Sequence, residues 1–484
     1  MRRALAAAAA AVGAAVIPGA ADAARYAVGL EPGAEPGRVS SAIHARTGAR
    51  PESLAPLRAL IAESPSARRL RGIPGVAYVH ELGERHLAVT PTDPLVPRQW
   101  YLTRSRFYEP WPMIPLLAPV RVAVIDSGVD GGHPDLVGRI LASRSFVAGS
   151  ALQDALGHGT FVSGLIAAGV DNGTGIAGLA PSAGLLVAKV VGRSRIVSEE
   201  AEVKAIRWAV EQRAQVINMS LGGLRDPLDP ARDSYSRLEA DAVAYAVHSG
   251  ALVVAAVGND DAAPTSPWRY ASYPAALPHV LGVSAQARSG ATPRFSNRDP
   301  VYNDIGAPGE EILSTFPRAL TAQFPGCAEQ GYSSCAPDEY RAGDGTSFAA
   351  PQVSAAAAVL LGVRPGLSPD QVSTLLERTA VDSTTATGCS ACPQGRDALS
   401  GWGRLDVTSA IAALSSPLPA RDRLETNDDA GPSAYKLWGS NRQFTATVDF
   451  WDDQDDVYAI QLRDRKSTRL NSSHLKLSRM PSSA

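Results

Sequence analysis

From Arg121 onward, short apolar runs alternate with longer stretches of helical period. The runs are Val122–Ile125, Leu185–Val191, Val216–Met219, Leu252–Val257 and Val280–Val283. Each is strand-length, mostly β-branched and apolar at successive positions, as expected of strands buried on both faces. Between them, Ser198–Arg213 starts with a capping serine and an acidic first turn, and Ser236–Ser249 shows a second helical pattern. Strands alternating with helices predict an α/β fold of three α/β/α layers around a mostly parallel sheet. In such sheets reactive groups gather at the carboxyl ends of the strands.

Residues 25–88 carry a different pattern, that of a small α+β unit. Tyr26–Leu30 is strand-like, Val39–Arg46 and Ser64–Leu70 are helical, and Gly75–Glu81 reads as a closing strand. Pro91–Trp111, rich in proline and aromatics, reads as a linker followed by an arm lying on the next domain. Residues 1–23 hold two arginines, an apolar run and the small-residue pattern Ala21, Asp22, Ala23. This is the pattern of a secretory signal peptide; as a membrane anchor the run is short, and Pro18 with Gly19 interrupts it. No later stretch reads as a membrane span.

A length of 484 residues predicts about two to four structural units. A formal net charge of -2 gives no electrostatic footprint for nucleic acid. Four cysteines, Cys327, Cys335, Cys389 and Cys392, favour disulfides in an exported chain. Of the three pairings, the local ones are preferred, because Cys327 with Cys335 and Cys389 with Cys392 each close a loop in a Gly/Ser/Pro-rich segment. The competing reading is a zinc site, for which a second CxxC is missing.

Three segments carry candidate chemistry. Asp126 ends the first buried run and is followed by Ser127 and Gly128, where a carboxylate can orient an imidazole. His158 stands between Gly157 and Gly159 at the start of an apolar helix. Ser347 follows Gly343, Asp344, Gly345 and Thr346 at a helix N-terminus, where unpaired amides and the helix dipole favour negative charge. Pro351 is expected in the early turn, where a missing amide costs no hydrogen bond.

Together, and in the order Asp, His, Ser, these segments resemble the signatures of the subtilisin-like serine proteases, or subtilases, over roughly residues 100–414. The resemblance implies a serine endopeptidase working through an acyl-enzyme, with Ser347 as nucleophile, His158 as general base and acid, and Asp126 orienting the imidazole. It matches Asn259, after Leu252–Gly258, to an oxyanion-hole asparagine. It also matches Ser220, Leu221, Gly222 and Gly223 to a substrate-binding segment, faced by a wall running from Ala256 to Gly258. The chemistry needs no cofactor; structural calcium is compatible with the family, although no loop spells a complete site. The partners implied are protein or peptide substrates and the chain's own N-terminal unit, which resembles an inhibitory propeptide removed by autoprocessing.

The expected organisation is a signal peptide (1–23), a propeptide (24–90), a catalytic domain (91–415), a linker with a truncated C-terminal β domain (416–464), and a non-native tail (465–484). The catalytic domain closes through Leu399–Asp406 and the helical Val407–Leu414. Leu424–Asp429 and Thr445–Leu462 resemble the start of a β-sandwich found on many secreted peptidases, of which only part remains. Its acidic cluster, Asp449, Asp452, Asp453, Asp455 and Asp456, reads first as a solvated hairpin, with a calcium site as the alternative. A secreted, extracellular or cell-envelope monomer is expected. A non-catalytic secreted binding protein on the same fold is the alternative. An esterase or lipase is disfavoured because Ser347 is not in a GxSxG elbow.

Overall fold

Residues 24–82, 89–192, 195–321, 338–417, 434–437 and 458–460 are described by the computed structural model. The chain divides after His86 into two units. In the first, β1 (Ala24–Leu30), β2 (Glu52–Ser53), β3 (Ala59–Ser64) and β4 (Val76–Glu81) form one sheet in the order β2-β3-β1-β4. Helix α1 (Pro36–Thr47) buries Val39 and Ile43 in a core with Val28, Leu60 and Leu70. The helix expected over Ser64–Leu70 shrinks to α2 (Arg68–Arg71), and an unpredicted strand, β3, precedes it. Ala59–Ser64 alternates well enough to pair antiparallel with β1, and Pro65 lacks the amide that a longer strand or helix there would use.

The second unit begins with α3 (Trp100–Arg104) and then forms β5 (Val120–Asp126), β6 (Ile140–Ser145), α4 (His158–Ala167), β7 (Ala183–Lys189), α5 (Glu199–Glu211), β8 (Val216–Met219), α6 (Arg237–His248), β9 (Leu252–Ala256), β10 (Val280–Gln286) and β11 (Ile305–Pro308). These strands make a seven-stranded sheet, β11-β10-β9-β8-β5-β7-β6, with every pairing parallel. Residues of β5 alternate between the two faces. Val122 and Val124 pack with α4 and α8 (Thr346–Val363), while Ala123 and Ile125 pack with α5 and α6. This is the three-layer α/β/α architecture that the alternating pattern implies.

After β7 the chain crosses back over β5 to place β8 on its other side, so the sheet order reverses between β5 and β8. A crevice outside the carboxyl ends of the strands forms at such a point. Asp126 and Ser220 stand on its two sides.

Around this core, β12 (Ile312–Thr315) and β13 (Tyr340–Gly343) pair antiparallel, with the short helix α7 (Arg318–Thr321) between them. Helices α9 (Pro369–Arg378) and α10 (Val407–Ala413) close the α8 side. By length and hydropathy α8 could cross a membrane, against the expectation of no later span, but 89% of it is buried. Its apolarity serves the core. Farther on, β14 (Tyr435–Leu437) pairs in parallel with β15 (Tyr458–Ile460). The rest of the expected β-sandwich, its Asp449–Asp456 cluster, the signal segment, the terminal tail, Cys327 and Cys335 lie outside the described residues.

Candidate active site

Asp126 is the last residue of β5 and is 2% exposed. Its carboxylate faces His158 Nδ1, with Oδ1 at 2.9 Å and Oδ2 at 2.8 Å. His158 opens α4, and what holds that turn against β5 is Asp154, a residue the motif reading missed. Asp154 Oδ1 accepts from Ser127 Oγ (2.8 Å), Leu156 N (3.0 Å) and Gly157 N (2.8 Å). Its Oδ2 accepts from the amide and hydroxyl of Thr160, at 2.9 and 2.8 Å. Asp154 lies three residues before the N-cap Gly157, outside the position where a capping residue would be sought in the sequence.

The helix approaches β5 closely because Gly159 has no side chain. A Cβ there would stand 2.1 Å from the carbonyl oxygen of Gly128. Lys189 steadies the same loops from below, its Nζ donating to the carbonyls of Ser127 (2.8 Å) and Gln153 (2.6 Å). The Phe348 ring, 5.6 Å from the imidazole between centroids, packs on its other side.

The His158 side chain is 27% exposed. Burial pushes its imidazolium pKa down, but the charge and hydrogen bond of Asp126, with a contribution from Asp154, outweigh this and hold it above the ordinary histidine value.

Ser347 is the second residue of α8. Amides in a helix's first turn have no intrahelical acceptor, so Ser347 N is free to donate elsewhere. Pro351 is not in that first turn, as expected from sequence, but inside the helix. Its missing N–H frees the carbonyl of Ser347, four residues back. Ser220 Oγ fills the gap, donating to Ser347 O at 2.8 Å. Ser220 is itself held by Asn218 Nδ2 (3.0 Å), whose Oδ1 accepts from Ser354 Oγ (2.8 Å) on α8. This buried chain clamps β8 to the start of α8. The Ser347 hydroxyl donates to Ser220 O at 3.2 Å rather than to His158.

Asn259 follows β9. Its Oδ1 accepts from Thr346 N (3.1 Å) and Thr346 Oγ1 (3.0 Å), which orients the amide and leaves Nδ2 as the outward donor. A Cβ built on Gly345 would lie 3.6 Å from Asn259 Nδ2 and 3.7 Å from Ser347 N. Two N–H donors therefore border one small space beside the Ser347 backbone, where a developing oxyanion could sit.

Residues 118–403 match the subtilase family. The chain belongs to that family. Its fold and its serine-type endopeptidase class are those of the subtilases. Fervidolysin of Fervidobacterium pennivorans is 35% identical over 321 residues, 63% of this chain but 42% of the relative. Thermitase of Thermoactinomyces vulgaris is 33% identical over 301 residues, 62% of this chain and 94% of the relative. The crystal structure of fervidolysin aligns with a TM-score of 0.54 at 25% identity, covering 84% of this chain and 63% of that one. This chain therefore spans less than half the length of one relative and nearly all of another.

Among the residues predicted from sequence, Ser220–Gly223 follow β8, and Ala256–Gly258 begin at the last residue of the adjacent strand β9. The backbone groups of Leu221 and Gly222 carry no hydrogen bond among the described residues, whereas Gly223 pairs in both directions with Tyr273. Cys389 and Cys392 form a disulfide, with Cα atoms 5.4 Å apart, so they do not act as zinc thiolates.

Among the described residues, no group of three or more His, Cys, Asp or Glu is arranged to hold a metal ion.

Proposed function

We propose that this chain is a secreted serine endopeptidase that cuts extended segments of extracellular proteins through an acyl-enzyme and matures by cutting itself. Ser347 attacks the scissile carbonyl, and His158 takes its proton and returns it to the leaving amine. Asp126 holds the imidazole with its unprotonated nitrogen toward the serine and stabilises the imidazolium. Asn259 Nδ2 and Ser347 N receive the oxyanion. Leu221 and Gly222 offer their free backbone groups to an extended peptide, which adds as a strand beside the reacting serine. No metal enters any step.

The observation that supports this reading is the Asp126–His158 pair, whose imidazole packs on Phe348, the residue after Ser347, together with two amide donors beside the Ser347 backbone. In the organisation proposed here, residues 24–90 are a propeptide, 91–415 the catalytic domain, and 416–464 a linker with part of a β domain. Export rests on the N-terminal pattern alone, since one relative, 37% identical, is named a major intracellular serine protease.

A second reading, a non-catalytic binding protein, draws on the resting hydrogen bond of Ser347 to Ser220 O rather than to His158. Fluorophosphonate labelling separates the two. The endopeptidase acquires one adduct, mapped to Ser347 by mass spectrometry; an unlabelled protein is the binding protein.

Two further outcomes follow from the geometry. Because the base must be neutral, kcat/KM falls as pH drops through the His158 pKa. Asp126 holds that pKa up, so the acid limb should have its midpoint above about 6.5, the unperturbed histidine value. A rate flat from pH 8 to about 5 would remove His158 from the role of base. Asn259→Ala should lower kcat by about 10²–10³, the scale subtilisin itself shows, with little change in KM. A change confined to KM would mean that Asn259 binds substrate and not the transition state.

A further inference from the structure

A cavity of about 230 Å³ opens beside Leu221, Gly222 and Gly223, and three carboxylates line it. Glu199 and Glu202 come from the first turn of α5, and Glu239 from the first turn of α6. Glu202 is 8% exposed and Glu239 6%. Burying carboxylates is costly unless partners compensate. Here the compensation is partial: the Glu202 and Glu239 carboxyls hydrogen-bond to each other, but Glu202 Oε1 has no hydrogen-bond partner.

Helix capping does not explain these residues. The N-caps are Ser198, which accepts from Ala201 N, and Ser236, which accepts from Glu239 N. Ser236 also donates its hydroxyl to Glu199. Among the described residues no lysine or arginine pairs with any of the three glutamates. The cations on the same helices are engaged elsewhere, Lys204 with Glu200, Arg207 with Glu211 and Arg237 with Asp241. Burial first, then the charge of Glu239 and the hydrogen bond to it, push Glu202 up; burial pushes Glu239 up, opposed by that hydrogen bond and aided by the charge of Glu199. The site is acidic, and among the described residues no cation lines it.

Its position says what the cation belongs to. Ser347 Oγ is 3.2 Å from Ser220 O, and the cavity wall begins at the next residue. A peptide paired along Leu221 and Gly222 advances about 3.3 Å per residue and turns alternate side chains to the same side. One side chain, a few positions from the scissile bond, then meets this cavity. Leu221 can flank an aliphatic stem while the glutamates hold its charged head.

We propose that this cavity is a specificity subsite for a lysine or arginine side chain of the substrate, so that the enzyme selects extended segments with a basic residue at one fixed position away from the cut bond. The proposal rests on the endopeptidase reading above and narrows its substrate class.

The test uses the full chain and a set of fluorogenic peptides differing at one position at a time, carrying Lys, Arg, Gln, Leu or Glu. At one position the basic peptides should exceed the Gln peptide in kcat/KM by about tenfold or more. In Glu202→Gln/Glu239→Gln that ratio should fall toward one. Since both peptides are measured on the same protein, the ratio is independent of how much of a variant folds, and Glu239→Gln alone serves if the double variant is lost. A wild-type ratio near one at every position, a preference for Leu there, or a ratio that survives both substitutions overturns the proposal. No cleavage of any peptide, together with no fluorophosphonate adduct on Ser347, overturns the endopeptidase reading and this proposal with it.

Discussion

Ser347→Ala should leave the precursor at full length and reduce peptide hydrolysis by on the order of 10⁶, the magnitude that subtilisin itself shows for loss of its nucleophile. The reason is local. Ser347 Oγ is the hydroxyl beside the two amide donors and the first turn of α8, and the substitution removes only that oxygen. The fold should be unaffected, because the bond locking this turn runs from Ser220 Oγ to the Ser347 carbonyl, which alanine keeps. Gel mobility of the purified variant reports maturation, and a peptide assay reports turnover. Spontaneous maturation of a pure Ser347→Ala sample would argue that another protease removes residues 24–90.

Asp126→Asn should cost about 10⁴ in kcat, as the same change does in other Asp-His-Ser proteases. Asp126 contacts His158 Nδ1 with both oxygens, at 2.8 and 2.9 Å. An asparagine amide can donate to Nδ1 and so favour the tautomer that puts the imidazole proton on the serine side. The loss of negative charge also removes what raises the His158 pKa, so the acid limb of the variant's residual activity should move to lower pH. An unchanged limb would mean that the titrating group is not His158.

The legibility of the fold followed burial. Strands β5, β7, β8, β9 and β10 are covered on both faces, so their apolar runs show in the sequence. Edge strand β6, Ile140–Ser145, is only partly covered, and its sequence carries no continuous apolar run. In the site, glycine-flanked motifs point to Asp126, His158 and Ser347, because close backbone approach leaves a local mark. The residues that position them leave little. Asp154 reaches Ser127, and Ser354 reaches Asn218 across 136 residues, through contacts that exist only once the sheet is assembled. Pro351 stands deeper in the helix than its sequence suggests for a related reason: its compensation comes from Ser220, far away in the chain. Glu202 and Glu239 look like ordinary acidic first turns until α5 and α6 are packed together.

The central claim is most directly tested by a crystal structure of the fluorophosphonate-inhibited protein. Phosphorus should be bonded to Ser347 Oγ, with its phosphoryl oxygen about 3 Å from both Asn259 Nδ2 and Ser347 N and with His158 still held by Asp126. A phosphoryl oxygen turned away from both donors, or an adduct on any other side chain, would contradict it.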